Sequence, residues 1–221
     1  MRTAHLCGGL GGSLWAGAIL RWESIYALDH DAWRCDRVRD QAAAGWWPGL
    51  RVDCADLTTW EPPALDGGVD CLAAGFSCRD ISAAGKGAGL SGTSTGPTYA
   101  GCLRAVDAWR PSWVLLENSP RIVGLGRDVV TRDLVARGYR WRDGIIAASD
   151  PGIGAPHRRN RWYCLARRAD VADADGVREL QLRGRVCDER RRASDGAPSV
   201  ADPNGHGNVR GEGSPAWDNL N

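Results

Sequence analysis

Lysine is almost absent: Lys86 is the only one in 221 residues, and arginine supplies the rest of the 28 basic side chains. With 27 acidic residues opposing them, the formal net charge is +1. That balance excludes a global positive field of the kind that attracts nucleic acid, so any phosphate contact has to come from local arginine clusters. The arginine bias fits a GC-rich coding sequence; the functional alternative is a preference for the guanidinium fork, which suits phosphate. Metal-ligand spacing is missing too. The eight cysteines form no Cys-x-x-Cys pair and have no histidines at zinc spacing, so no metal site is expected. No apolar run approaches the length of a membrane span, and no basic stretch precedes an apolar leader. A cytoplasmic protein with reduced thiols and no membrane segment is the expectation.

What is present is organised around Cys78. Val69-Asp70-Cys71-Leu72-Ala73-Ala74 is short, lacks helical caps and is closed by Gly75, so it reads as a buried parallel strand. Cys78 lies just past its carboxyl end, where open α/β sheets bind ligands. Cys71 sits within the apolar run as a structural thiol would, whereas Cys78 is flanked by Ser77, Arg79 and Asp80. An adjacent guanidinium favours the nucleophilic thiolate. The length of the chain suits one α/β core with a small remainder.

In chain order, a short strand Arg2 to Leu6 runs into Cys7-Gly8-Gly9-Leu10-Gly11-Gly12-Ser13, followed by a helical stretch from Leu14 to Trp22. A glycine turn between strand and helix lets a nucleotide-type cofactor approach the backbone at the positive end of the helix. The next strand, Ser24 to Leu28, ends in Asp29-His30-Asp31. Asp29 is positioned to accept hydrogen bonds from ribose hydroxyls. The alternative is that Asp29 or Asp31 caps the helix starting near Ala32. After that helix, to about Ala44, come a turn around Gly45 and Pro48, a third strand Leu50 to Cys54, and Ala55-Asp56-Leu57-Thr58. Gly85 to Gly96 is a glycine-rich polar segment, read either as a surface loop or as a mobile loop that closes over a substrate. A helix from Thr98 to Trp109 leads to the strand Ser112 to Leu116, which delivers Glu117-Asn118. A carboxylate there needs a partner or a reason. A helix from Gly126 to Arg137 precedes Ile145-Ile146 and then Gly154-Ala155-Pro156-His157-Arg158-Arg159-Asn160-Arg161 and a strand. Arg159 and Arg161, two apart, point the same way and could serve one anionic site or make surface ion pairs. Residues 167–221 are rich in Asp, Gly and Arg, with a weak repeat between Val171-Ala172-Asp173 and Val200-Ala201-Asp202. That segment is expected to be extended or partly disordered.

Gly75-Phe76-Ser77-Cys78-Arg79-Asp80-Ile81-Ser82 resembles the catalytic loop of cytosine-5 DNA methyltransferases, Gly-Phe-Pro-Cys-Gln-Asp/Pro-Phe-Ser, with Ser77 and Arg79 at its two departures. The rest of the family pattern follows in order. Cys7 to Gly12 is similar to Phe-x-Gly-x-Gly with Cys7 in place of the aromatic residue, and Asp56-Leu57-Thr58 to Gly-Asp-Ile-Thr. Glu117-Asn118 matches Glu-Asn-Val, and Gly154 to Arg161 resembles Gly-Val-Pro-Gln-x-Arg-x-Arg with His157 for glutamine. The resemblance spans Leu6 to Ala166.

It implies a Rossmann-like, mostly parallel α/β sheet flanked by helices, the fold of S-adenosylmethionine-dependent methyltransferases, with residues 1–166 as the catalytic domain. The implied reaction is methyl transfer from S-adenosylmethionine to C5 of a flipped cytosine in DNA, as in restriction–modification. Cys78 would be the nucleophile, Glu117 would grip the base edge, and Arg159 and Arg161 would hold base oxygen and phosphate. Cys7, Gly9, Leu10, Gly11, Gly12, Asp29, Asp56 and Gly75 would line the cofactor site, while Phe76, Ser77 and Asn118 would face the substrate. Cys7 removes an aromatic wall and should weaken cofactor binding. The target-recognition region and final Gly-Asn motif of the family are not found before Asn221. A truncated, inactive or split enzyme completed by a second chain is therefore the alternative expectation. A dinucleotide-dependent oxidoreductase with an incidental cysteine is a third reading, resting on the glycine loop and Asp29.

Overall fold

The chain is described from a computed structural model over residues 1–82 and 87–170. Seven strands form one sheet: β1 (Arg2–Leu6), β2 (Glu23–Asp29), β3 (Arg51–Cys54), β4 (Cys71–Ala74), β5 (Trp113–Asn118), β6 (Tyr139–Ala147) and β7 (Asn160–Arg168). Their spatial order is β3-β2-β1-β4-β5-β7-β6. β1 to β5 pair in parallel, and β7 runs antiparallel to both β5 and β6. The chain winds outward from β1 to β3 and returns to start again at β4, which lies beside β1. The crevice at their carboxyl ends is thus the switch point of the sheet, where ligands bind in this architecture.

The helices are α1 (Gly12–Ile19), α2 (Ala32–Ala43), α3 (Thr95–Trp109), the single turn α4 (Ile122–Leu125) and α5 (Arg127–Ala136). One face of the sheet contributes Leu6, Leu28, Leu72, Leu116 and Trp162 to a core shared with Cys102, Ala105, Val106, Val130 and Leu134 of α3 and α5. On the other face Ala27 packs with Leu14 of α1, Val38 of α2 and Trp47. Being covered on both faces is why β4 reads as a near-continuous apolar run. β5, beside the reversed strand, instead alternates half-buried and buried residues.

β1, buried as well, carries the polar pair Thr3 and His5. His5 lies 2.9 Å from the Thr3 and Ser13 hydroxyls and 3.2 Å from that of Ser24, so both ring nitrogens are satisfied across β1, β2 and α1. Burial pushes its imidazole down to about 4.

The expected elements are found with shifted ends. α3 begins at Thr95, three residues before the expected start, and β5 continues through Glu117 and Asn118 rather than ending before them. β7 runs to Arg168, two residues past the expected end of the catalytic region. From residue 171 the Asp/Gly/Arg-rich segment lies outside the described residues, as do Gly85 and Lys86 of the glycine-rich segment.

Candidate active site

Four strand ends build the site. Leu6 and Ala74 are register partners, and the Gly75 amide donates to the Leu6 carbonyl at 3.2 Å, so the glycine loop and the Cys78 loop leave the sheet side by side. Glu117 follows Leu116, the register partner of Ala74. A Cβ on Gly75 would lie 3.0 Å from the Glu117 Oε2 atom, so glycine is what lets the carboxylate lie against the base of the Cys78 loop. Arg161, at the start of β7, closes the group with its Nε 2.8 Å from Glu117 Oε1. Burial raises the Glu117 carboxyl above its ordinary range, and the positive charges of Arg161 and Arg159 pull against that rise without cancelling it. Cys78 itself is exposed. Its carbonyl accepts from the amides of Ile81 and Ser82 at 3.0 and 2.8 Å, forming a tight turn that presents the thiol.

Two residues expected to face substrate have their side chains turned inward. Phe76 is 2 % exposed and packs on Tyr99, with ring centroids 5.3 Å apart, so it anchors the loop in the core. Asn118 is likewise 2 % exposed. Its amide donates to the Phe76 carbonyl at 3.0 Å and its oxygen accepts from the Ser119 amide at 2.7 Å, which ties the Cys78 loop to β5. Both side chains thus contact the protein interior and the backbone of the Cys78 loop. The Ser77 hydroxyl lies 2.9 Å from that of Ser94. Arg159 is exposed and touches the group only through its charge on Glu117.

On the cofactor side, Gly8, Gly9, Leu14, Ala27 and Asp29 line a hollow beside the glycine loop. Asp29, 7 % exposed, accepts from the Gly9 amide at 2.9 Å and the Asp31 amide at 3.1 Å. His30 Nδ1 and Arg34 Nη1 also lie 3.3 and 3.6 Å from the Asp29 Oδ1, so with about four acceptor positions on a carboxylate the capacity for a ligand hydroxyl is on Oδ2. Helix capping falls to Asp31, which accepts from the Arg34 amide at 3.1 Å. Asp56 is exposed and held below the usual carboxylate range by the backbone amide and hydroxyl of Thr58. Cys7 sits between these acids. Its thiol is pushed up to about 12 by burial, reinforced by the negative charges of Asp29 and Asp56, and so stays neutral. Gly11 and Gly12 form the N-terminus of α1, and Leu10 beside them is 60 % exposed. Among the described residues no group of three potential metal ligands occurs and no helix is long and apolar enough to cross a membrane.

Residues 1–184 match the C-5 cytosine-specific DNA methylase family. The chain belongs to that family. Among its relatives, the Type II methyltransferase M.CviJI of Paramecium bursaria Chlorella virus IL3A is 32% identical over 118 residues, 52% of this chain and 31% of its own length. The Type II methyltransferase M2.BsuMI of Bacillus subtilis is 32% identical over 127 residues, 54% of this chain and 31% of its own. The chain thus spans about a third of the length of the curated relatives it matches. The Dnmt2 methyltransferase of S. pombe superposes with a TM-score of 0.60 at 19% identity, covering 78% of this chain and 51% of that one. A Spodoptera frugiperda DNMT2 variant gives 0.59 at 19% identity over 80% and 53%. Those two likenesses establish the shared Rossmann-like methyltransferase fold.

The side chains that hold the Cys78 loop from α3, namely Ser94, Thr95 and Thr98, were not legible as part of the site. Their only signal is a run of hydroxyls before an apolar helix.

Proposed function

We propose that the chain methylates C5 of cytosine in DNA through a covalent bond between Cys78 and C6 of the base. The observation that carries this reading is the convergence of the Cys78 loop, Glu117 and Arg161 on one edge of the switch point, with Glu117 Oε1 2.8 Å from the Arg161 Nε. Membership of the cytosine-C5 family supports the choice of base and atom.

Cytosine C5 is a poor nucleophile until a thiolate adds at C6. In the proposed sequence the Cys78 sulfur forms a bond to C6 while Glu117 donates a proton or hydrogen bond at the N3 edge, so electron density accumulates at C5. A carboxyl held above its ordinary range keeps its proton to higher pH, which suits that donation. Arg161 keeps Glu117 in place through its ion pair, and Arg159 with Arg161 would offer charge-assisted bonds to the base oxygen or an adjacent phosphate. S-adenosylmethionine, held at the glycine loop, would supply the methyl group, its sulfonium becoming the neutral thioether as C5 takes the methyl. Gly9, Gly11 and Gly12 would let it reach the backbone, Asp29 would accept from its ribose and Asp56 from its adenine. Loss of the C5 proton to solvent, return of the N3 proton to Glu117 and cleavage of the sulfur–C6 bond then regenerate Cys78 as the thiolate. Because C5 and C6 are inaccessible to this attack within a stacked duplex, the target base has to be extruded.

Labelled methyl transfer to DNA, measured beside cofactor binding, tests the assignment. Cys78→Ala is expected to abolish transfer and leave cofactor affinity unchanged. Equal loss of both would make Cys78 a structural residue and overturn the mechanism.

A further inference from the structure

Resting on that reading, we infer that Asp80 is a positioning residue for Cys78, acting as a remote cap on α3. The Asp80 Oδ2 atom accepts from the amides of Ser94 and Thr95 at 2.9 and 2.8 Å, and the Asp80 amide donates back to the Thr95 hydroxyl at 3.1 Å. Asp80 is 8 % exposed and Thr95 fully buried. Ser94, the N-cap residue of α3, makes no side-chain capping bond to its own helix. The carboxylate from the Cys78 loop therefore satisfies the amides of the N-cap residue and the first helical residue, at the end of the helix where negative charge is favoured.

On the other side of Cys78, the Ser77 amide donates to the Thr98 hydroxyl at 3.2 Å. The nucleophile is thus exposed while its neighbours on both sides are fastened to the first turn of one helix. Gly92 makes room for this: a Cβ there would fall 2.2 Å from the Asp80 Cγ and 2.3 Å from its Oδ2. Ile81, fully buried, adds an apolar anchor next to the clamp. What Asp80 contributes is a fixed path for the loop, and with it the direction in which the Cys78 sulfur meets C6.

The test uses the full chain and two readouts: the single-turnover rate of covalent capture by DNA containing 5-fluorocytosine with S-adenosylmethionine, and the iodoacetamide alkylation rate of Cys78 relative to exposed Cys54. Displacing a reacting atom by about 1 Å costs about 100-fold in rate, so Asp80→Ala is expected to slow capture by at least about tenfold with cofactor affinity unchanged. Thr95→Ser should retain the wild-type rate and Thr95→Val should not. The Cys78 to Cys54 alkylation ratio should change in Asp80→Ala and Thr95→Val alike. Should Asp80→Ala fail to fold, Thr95→Val and Gly92→Ala carry the same expectation. Wild-type-like capture and alkylation in these variants would overturn the clamp. Loss of capture matched by an equal loss of cofactor affinity would do the same, by making Asp80 a general fold residue. If the wild-type chain is not captured at all, the proposed reaction fails, while the alkylation ratio still decides for or against the clamp.

Discussion

Glu117 carries two opposing influences, burial that favours its neutral form and the Arg161 and Arg159 charges that favour the anion, and burial prevails. If the protonated carboxyl serves the base edge, activity has a limb that falls as pH rises through the Glu117 pKa. Removing Arg161 takes away a charge that lowers that pKa. Arg161→Gln is therefore expected to move the limb to higher pH even though the absolute rate drops; a limb that stays in place or moves down would remove Glu117 from the proton inventory. At this scale the sequence pattern identifies which residues are special but not which way they point. Glu117 and Asn118 are adjacent in the same motif, yet strand alternation turns one to the crevice and the other into the core. The resemblance implies a substrate contact for Phe76, and its ring is buried against Tyr99.

Among the elements, β2 and α2 meet at Asp29-His30-Asp31, where one carboxylate faces the glycine loop and the other caps the helix. Asp31→Ala is expected to cost about 1 kcal/mol of stability, the usual worth of an N-cap, with cofactor affinity unchanged. Asp29→Ala should weaken cofactor binding by about tenfold or more, as loss of hydrogen bonds to a charged acceptor does. Calorimetric titration beside thermal melts separates the two, and equal affinity loss in both variants would contradict the division of roles. The strands β1 to β5 and helices α1, α2, α3 and α5 were readable because apolar periodicity, glycine closures and caps are local signals. α3 started earlier than its composition suggests because its cap comes from Asp80, in another loop, which no local rule can register. The reversed direction of β7 was equally hidden, since pairing direction depends on the route the chain takes from β6 and not on the residues within the strand.

For the molecule as a whole, stability rests on the sheet, whose strand β1 carries a buried imidazole. The His5 imidazole is held at about 4 by burial, against an ordinary 6.5. The unfolded chain binds the proton first as pH falls, so this group's contribution is present above about 6.5 and lost as pH falls through about 4. The difference corresponds to about 3 kcal/mol. His5→Gln should flatten the fall in unfolding free energy between those pH values relative to wild type; an unchanged slope would show that carboxylates alone carry it. With a net charge of only +1, any attraction to DNA would have to rest on local groups such as Arg159 and Arg161, so charge alone gives no sign of the proposed substrate. The most direct measurement of the central claim is capture of the chain on DNA containing 5-fluorocytosine, where fluorine at C5 blocks the final elimination. The account predicts a covalent adduct that requires both S-adenosylmethionine and Cys78. An adduct that persists in Cys78→Ala, or none in the wild-type chain under conditions where cofactor and DNA bind, would contradict it.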